Sequence, residues 1–143
     1  MDQAAEFDFV MIKPSHYDDQ GYPIVWWRTL IPSNSLAALH GIARGCVERQ
    51  VLGPDVRLNL VTIDESNTNI EPEKIVRDLK RRGARALIGL VGVQSNQYPR
   101  ALDLAREFRA AGLPVCIGGF HVSGCLSMLP ERRFSSAGRA HHS

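Results

Sequence analysis

Eight consecutive residues without a charged or hydrogen-bonding side chain, Ala86-Leu-Ile-Gly-Leu-Val-Gly-Val93, constrain this chain more than any other feature. The run is far too short to span a membrane and reads as a strand covered on both faces. Such strands belong to parallel sheets, whose crossovers are helices laid over the sheet. The sequence on either side supplies both kinds of element. Phe7-Asp-Phe-Val-Met-Ile12 reads as a first strand ending at Lys13-Pro14, and Val56-Arg-Leu-Asn-Leu-Val-Thr-Ile63 alternates and then turns apolar as a second. Val115-Cys-Ile117 reads as a fourth strand, stopping at the pair Gly118-Gly119.

Helical segments fall between these runs. Ser33-Asn-Ser35 offers capping residues to a helix on which Leu36, Leu39, Ala43, Cys46 and Val47 recur at helical spacing. Pro72 suits the first turn of the next helix, Ile75, Val76 and Leu79 form its apolar face, and Gly83 suits its end. Pro99 opens a third, with Ala101, Leu104, Ala105 and Phe108 on one face and Gly112 and Pro114 closing it; Val122 to Met128 begins a fourth. Strands alternating with helices predict an α/β fold, a doubly wound, flavodoxin-like (Rossmann-type) parallel sheet with helices on both faces and right-handed crossovers.

Two features break the regular pattern. The connection from Lys13 to Pro32 exceeds the usual few residues and carries Tyr17, Tyr22, Trp26 and Trp27, so it reads as an aromatic-rich flap, with Ile24 to Thr29 a candidate short extended segment. The pattern also breaks off at Glu131, where a fifth strand and helix are expected. Residues 1–131 are therefore expected to form the domain without its last strand, 132–143 a disordered tail, and the whole a truncated or frame-shifted part of a longer protein. Val115 to Ile117 would then be an apolar sheet edge that favours self-association.

Composition narrows the function classes. Removing the three arginines of residues 132–143 from the 17 basic side chains leaves 14 against 15 acidic ones, so the domain exerts no general pull on nucleic acid. Lys74, Arg77, Lys80, Arg81, Arg82 and Arg85 read as a solvated helix face. Met1-Asp-Gln-Ala-Ala-Glu6 lacks the pattern of a signal peptide, and Cys46, Cys116 and Cys125 are too few for a disulfide framework. A cytoplasmic protein with reduced thiols, away from membranes, is the expectation.

In a sheet of order 2-1-3-4 the ligand crevice lies outside the carboxyl ends of the strands, where the winding reverses. Three loops meet that edge: Lys13-Pro-Ser-His16, Gln94-Ser-Asn-Gln-Tyr98 and Gly118-Gly-Phe-His121. Ser95, Asn96 and Gln97 offer short polar groups, and Gly118 and Gly119 allow a ligand or another backbone to come close. Ser95 and Asn96 serve equally well as caps for the helix that follows.

The run Val91-Gly-Val-Gln-Ser-Asn-Gln-Tyr-Pro-Arg-Ala-Leu-Asp-Leu-Ala-Arg106, followed by Val115-Cys-Ile-Gly-Gly-Phe-His-Val122, resembles the N-terminal cobalamin-binding-type domain of radical S-adenosylmethionine proteins. Lys13-Pro-Ser-His-Tyr-Asp-Asp-Gln-Gly-Tyr22 is similar to a segment of such proteins, and the resemblance covers roughly residues 7 to 131. It implies a corrinoid held at the carboxyl edge by Ser15, His16, Ser95, Asn96, Gln97, Gly118, Gly119, Phe120 and His121, its nucleotide tail beside the glycine pair. It also implies a downstream domain carrying a [4Fe–4S] cluster and S-adenosylmethionine. Cys46, Cys116 and Cys125 lack the C-x-x-x-C-x-x-C spacing of that cluster, so no catalytic residue is assigned within this chain. The expected partners are the corrinoid and that radical domain or a partner chain.

The chain departs from the Asp-x-His-x-x-Gly pattern by which some cobalamin domains ligate cobalt. Pro14 stands two before His16 and Asp19 three after, so His16 reads as a polar loop residue and no metal ligand is assigned. His121 and Cys125, four apart, make two ligands and not a site. Cys116 reads as core, and Trp26 or Trp27 as a cover for a ligand or partner. The competing expectation is a non-catalytic interaction domain of the same fold that binds no corrinoid. A phospho-receiver is excluded, since Lys13 and Gln94 stand where its carboxylates belong.

Overall fold

Four parallel strands in the order β2-β1-β3-β4 form the sheet, as seen in a computed structural model that describes residues 5–24 and 34–128, the side chains of Phe120 and Val122 excepted. The elements are β1 Ala5–Lys13, α1 Asn34–Glu48, β2 Val56–Asp64, α2 Pro72–Arg82, β3 Arg85–Leu90, α3 Tyr98–Ala110, β4 Val115–Ile117 and α4 Phe120–Met128. Each overlaps the segment from which the periodicity predicts it. Trp26, Trp27, most of the Ile24 to Thr29 segment and the 132–143 tail lie outside the described residues.

β1 is the centre of the fold. It pairs with β2 from Ala5↔Val56 to Lys13↔Asp64, and with β3 from Phe7↔Arg85 to Ile12↔Leu90. Successive residues of a strand point to opposite faces, and β1 divides its core accordingly. Val10 and Ile12 join Ile88, Leu90, Ala101, Leu104 and Phe108 in the larger cluster, against which Ile75 and Val76 of α2 pack. Met11 joins Leu36 and Ala43 of α1 and Val91 in the smaller one. Ile12, Met11, Ile88, Leu104 and Phe108 are fully sealed from solvent.

Three expectations change in detail. Leu90, Val91 and Val93 in the second half of the apolar run 86–93 are buried, but the ladder stops at Leu90. Gly92 turns the chain with a φ of +64°, a conformation that L side chains rarely adopt. On α1 only Leu36 and Ala43 are buried; Leu39 is 38% exposed and Ile42 65% exposed, so much of its apolar surface faces outward. Cys116, read as core, is exposed on β4, which among the described residues pairs with β3 alone.

The basic run on α2 is not wholly solvated. Arg82 reaches back to the amino end of β1 and binds Asp8 (Nη2 to Oδ2, 2.5 Å), Glu6 (3.0 Å) and Asp78 (2.9 Å). Asn59 of β2 donates to the same Asp8 at 2.9 Å, so a buried carboxylate ties two strands and a helix together. The bonds to Asp8 above all, with those to Glu6 and Asp78, outweigh burial and raise the Arg82 pKa above its ordinary value. α2 ends as its sequence predicts, with Ala84 N–H donating to Leu79 O and Gly83 N–H to Lys80 O.

Candidate functional site at the carboxyl edge

The loop after β1 is closed by its own polar groups. Asp18 Oδ1 accepts the N–H groups of Gln20 and Tyr22, each at 2.9 Å, and Tyr17 bridges to Pro23 in antiparallel fashion. Ser15 is buried: its N–H donates to Glu65 Oε1 at 3.0 Å and its hydroxyl to Ile24 O at 2.5 Å. The His16 carbonyl accepts Ile24 N–H at 2.9 Å, and the imidazole has no hydrogen-bond partner among the described residues.

Glu65, the residue after β2, anchors this loop. It is 1% exposed and is gripped by the guanidinium of Arg100 on α3, with Nη2 to Oε2 at 2.7 Å and Nε to Oε1 at 3.0 Å. A carboxyl group so deeply buried needs hydrogen-bond donors in place of water, and Ser15 N–H and Arg100 supply them. Arg100 also donates from Nη1 to the Tyr17 hydroxyl at 3.4 Å, while that hydroxyl donates to the Asp103 carboxylate. Burial pulls the Arg100 pKa down, but the bonds to Glu65 and Tyr17 outweigh it and raise the value. Burial, followed by the bond to Asp103, raises the Tyr17 phenol above its ordinary 10.0.

The edge formed by the loops after β3 and β4 is held by backbone instead. Gly118 N–H donates to Leu90 O at 2.9 Å, Val93 N–H to Gly118 O at 3.0 Å, and His121 N–H to Val93 O at 3.1 Å. The two glycines have separate tasks. A Cβ on Gly119 would lie 2.3 Å from Val93 N and 2.7 Å from Val93 O, and its φ is +140°, so the approaching group is the neighbouring backbone. A Cβ on Gly118 would meet nothing within 4 Å, and that residue is open to solvent.

Ser95, Asn96, His121 and Gln94 line an open depression of about 560 Å³. Ser95 does not cap α3; its Oγ lies 3.0 Å from His121 Nδ1. Gln97 sits at the start of α3 and folds the turn, its Oε1 accepting Gln94 N–H at 2.9 Å. Tyr98 stacks on the His121 ring with centroids 4.3 Å apart, and Cys125 Sγ stands 3.6 Å from Nε2. Among the nine residues expected here, the structure brings Ser95, Asn96 and His121 together at the depression. Gln97, Gly118 and Gly119 shape the backbone around it, Ser15 and His16 belong to the loop after β1, and the Phe120 side chain lies outside the described residues.

Sequence reasoning missed Glu65, Arg100 and Asp103. Arg100 and Asp103 carry the spacing of a surface i,i+3 pair, and nothing local announces that their partners come from the loops after β1 and β2. No group of three His, Cys, Asp or Glu side chains among the described residues could hold a metal ion, and no helix there is long and apolar enough to cross a membrane. Comparison with protein-family models, curated proteins and solved structures gives no match to the chain.

Proposed function

We propose that this chain is a corrinoid-binding module of a radical S-adenosylmethionine protein, a doubly wound, flavodoxin-like domain of the cytoplasm that carries no catalytic cluster of its own. The observation that carries this reading is the open depression at the carboxyl edge of a β2-β1-β3-β4 parallel sheet, bordered by Ser95, Asn96 and His121. Ligands of open α/β sheets bind at that edge. Its volume of about 560 Å³ falls in the range of pockets for drug-sized groups and suits a nucleotide tail better than a whole macrocycle.

The residues present fit such a tail. Gly118 is exposed with free space over its α-carbon, so a ligand can lie directly on the backbone. Asn96 offers an exposed amide and Ser95 a hydroxyl shared with His121, which suits the ribose and phosphate of a tail. When bound, the corrinoid supplies methyl or electron transfer at cobalt; the chain's own residues bind and orient it. The [4Fe–4S] cluster and S-adenosylmethionine belong to a radical domain that is the expected partner. Titration of the purified chain with hydroxocobalamin tests the reading. A spectral shift with protection from proteolysis is the expected result, and an unchanged spectrum at high ligand concentration would falsify it.

A second reading, a non-catalytic interaction domain, is favoured by the outer face of α1. Leu39, Ile42 and Val47 on the helix, with Val51 and Leu52 after it, are exposed apolar side chains grouped in sequence. Light scattering coupled to size exclusion separates the two. Stable association through Ile42, abolished by Ile42→Glu with no corrinoid present, supports the interaction domain.

A further inference from the structure

Three side chains, one from the loop after β3 and two from α4, form a chain of contacts, and two of them line the depression. Ser95 Oγ is 3.0 Å from His121 Nδ1, and Cys125 Sγ is 3.6 Å from His121 Nε2. His121 and Cys125 are four residues apart on α4, so one helical face presents both. With Ser95 Oγ accepting from Nδ1–H, Nε2 is the acceptor left for the thiol proton. A thiol, a base within reach and a third group that orients the base form the arrangement that activates a sulfur nucleophile.

The other two thiols lack it. Cys116 is exposed like Cys125, but its thiol has no hydrogen-bond partner among the described residues. Cys46 is half-buried on α1, with Arg49 Nη2 at 3.8 Å and no imidazole. Exposure alone therefore does not set Cys125 apart from Cys116. The imidazole and the open depression beside it do.

We propose that Cys125 is a site of reversible modification by low-molecular-weight disulfides, with His121 as its base and Ser95 positioning the imidazole. His121 Nε2 takes the thiol proton, and the Cys125 sulfur attacks one sulfur of the small disulfide. A new S–S bond forms as the old one breaks, and the departing thiolate recovers the proton from the imidazolium. The small disulfide is the oxidant and one half of it leaves as thiol, so electrons and protons balance. His121 and Ser95 line the depression, so a ligand there competes with the thiol for His121. The inference goes beyond the corrinoid reading and does not rest on it.

The test uses the full chain with oxidised glutathione at neutral pH and no corrinoid, each thiol being followed by peptide mass mapping. Cys125 is expected to react about tenfold faster than Cys116. His121→Ala brings Cys125 down to the Cys116 rate, added imidazole restores part of the difference, and Ser95→Ala gives an intermediate rate. Cys116 serves throughout as the internal reference, and accelerated labelling of Cys46 reports any unfolded variant. Equal rates at Cys125 and Cys116 in the unaltered chain overturn the proposal, as does a folded His121→Ala variant that reacts unchanged.

Discussion

Two regions of the same sheet edge are built in opposite ways. The loop after β1 is tied down largely through side chains: the Ser15 hydroxyl donates to Ile24 O and its N–H to Glu65, Asp18 closes the turn, and Tyr17 lies between Arg100 and Asp103. The edge after β3 and β4 is held by main-chain bonds of Gly118 and His121 to Leu90 and Val93. Its side chains at 95, 96 and 121 are thereby left to face the depression. A loop held by side chains has a fixed shape and, His16 apart, few polar groups to spare. An edge held by backbone keeps its chemistry available, which is why the candidate site lies there.

The strongest way to break this comparison is at Glu65. Glu65→Ala leaves Arg100, whose side chain is only 13% exposed, without its carboxylate, and should cost about 3–5 kcal/mol in urea unfolding. A loss below about 1 kcal/mol would show that the loop after β1 does not depend on the buried pair. The glycine pair sharpens the other side. Gly119→Ala puts a Cβ into the Val93 backbone in a conformation that alone costs about 1–3 kcal/mol, whereas Gly118→Ala should stay within about 0.5 kcal/mol. Equal thermal shifts for the two would mean that the edge is not backbone-built.

A smaller effect is expected at Tyr17. Tyr17→Phe removes the bonds to Asp103 and Arg100 and should cost about 1 kcal/mol. Because the fold raises the Tyr17 pKa, it favours the neutral phenol. That contribution is complete below the ordinary value of 10.0 and is lost as pH rises through the higher folded value. Phenolate absorbance at Tyr17 should therefore appear later than in unfolded chain, and the Tyr17→Phe variant should lose this part of the alkaline transition. Ser95→Ala ranks last, changing stability by less than about 0.5 kcal/mol because Ser95 is exposed and caps nothing, while weakening whatever the depression binds.

Much of the fold was legible because burial leaves a periodic trace. The run at 86–93 marked the doubly buried strand, and Pro72 and Gly83 marked the ends of α2 by the same backbone logic that closes it in the structure. The end of β3 was not legible, because Val91 and Val93 are as apolar as a ladder residue while Gly92 turns the chain. Nor was the outward face of α1: Leu39 and Val47 have helical spacing, but the sheet beneath reaches only Leu36 and Ala43. At the site, Ser95, Asn96 and His121 could be placed at one edge from strand order alone, whereas the contact between Ser95 and His121 closes only across the β3–α3–β4 crossover.

The sequence by itself determined the alternation of strands and helices, the central place of the apolar strands and the edge at which polar loops gather. These follow from local periodicity and from the chirality of crossovers, which act within a few dozen residues. Only the tertiary structure decided that Glu65 is paired with Arg100, that Gly119 yields to Val93 while Gly118 stays open, and that His121 stands between Ser95 and Cys125. Apart from the i,i+4 spacing of His121 and Cys125 on α4, those are meetings of residues from different segments, fixed by how the layers pack, and no local pattern records them.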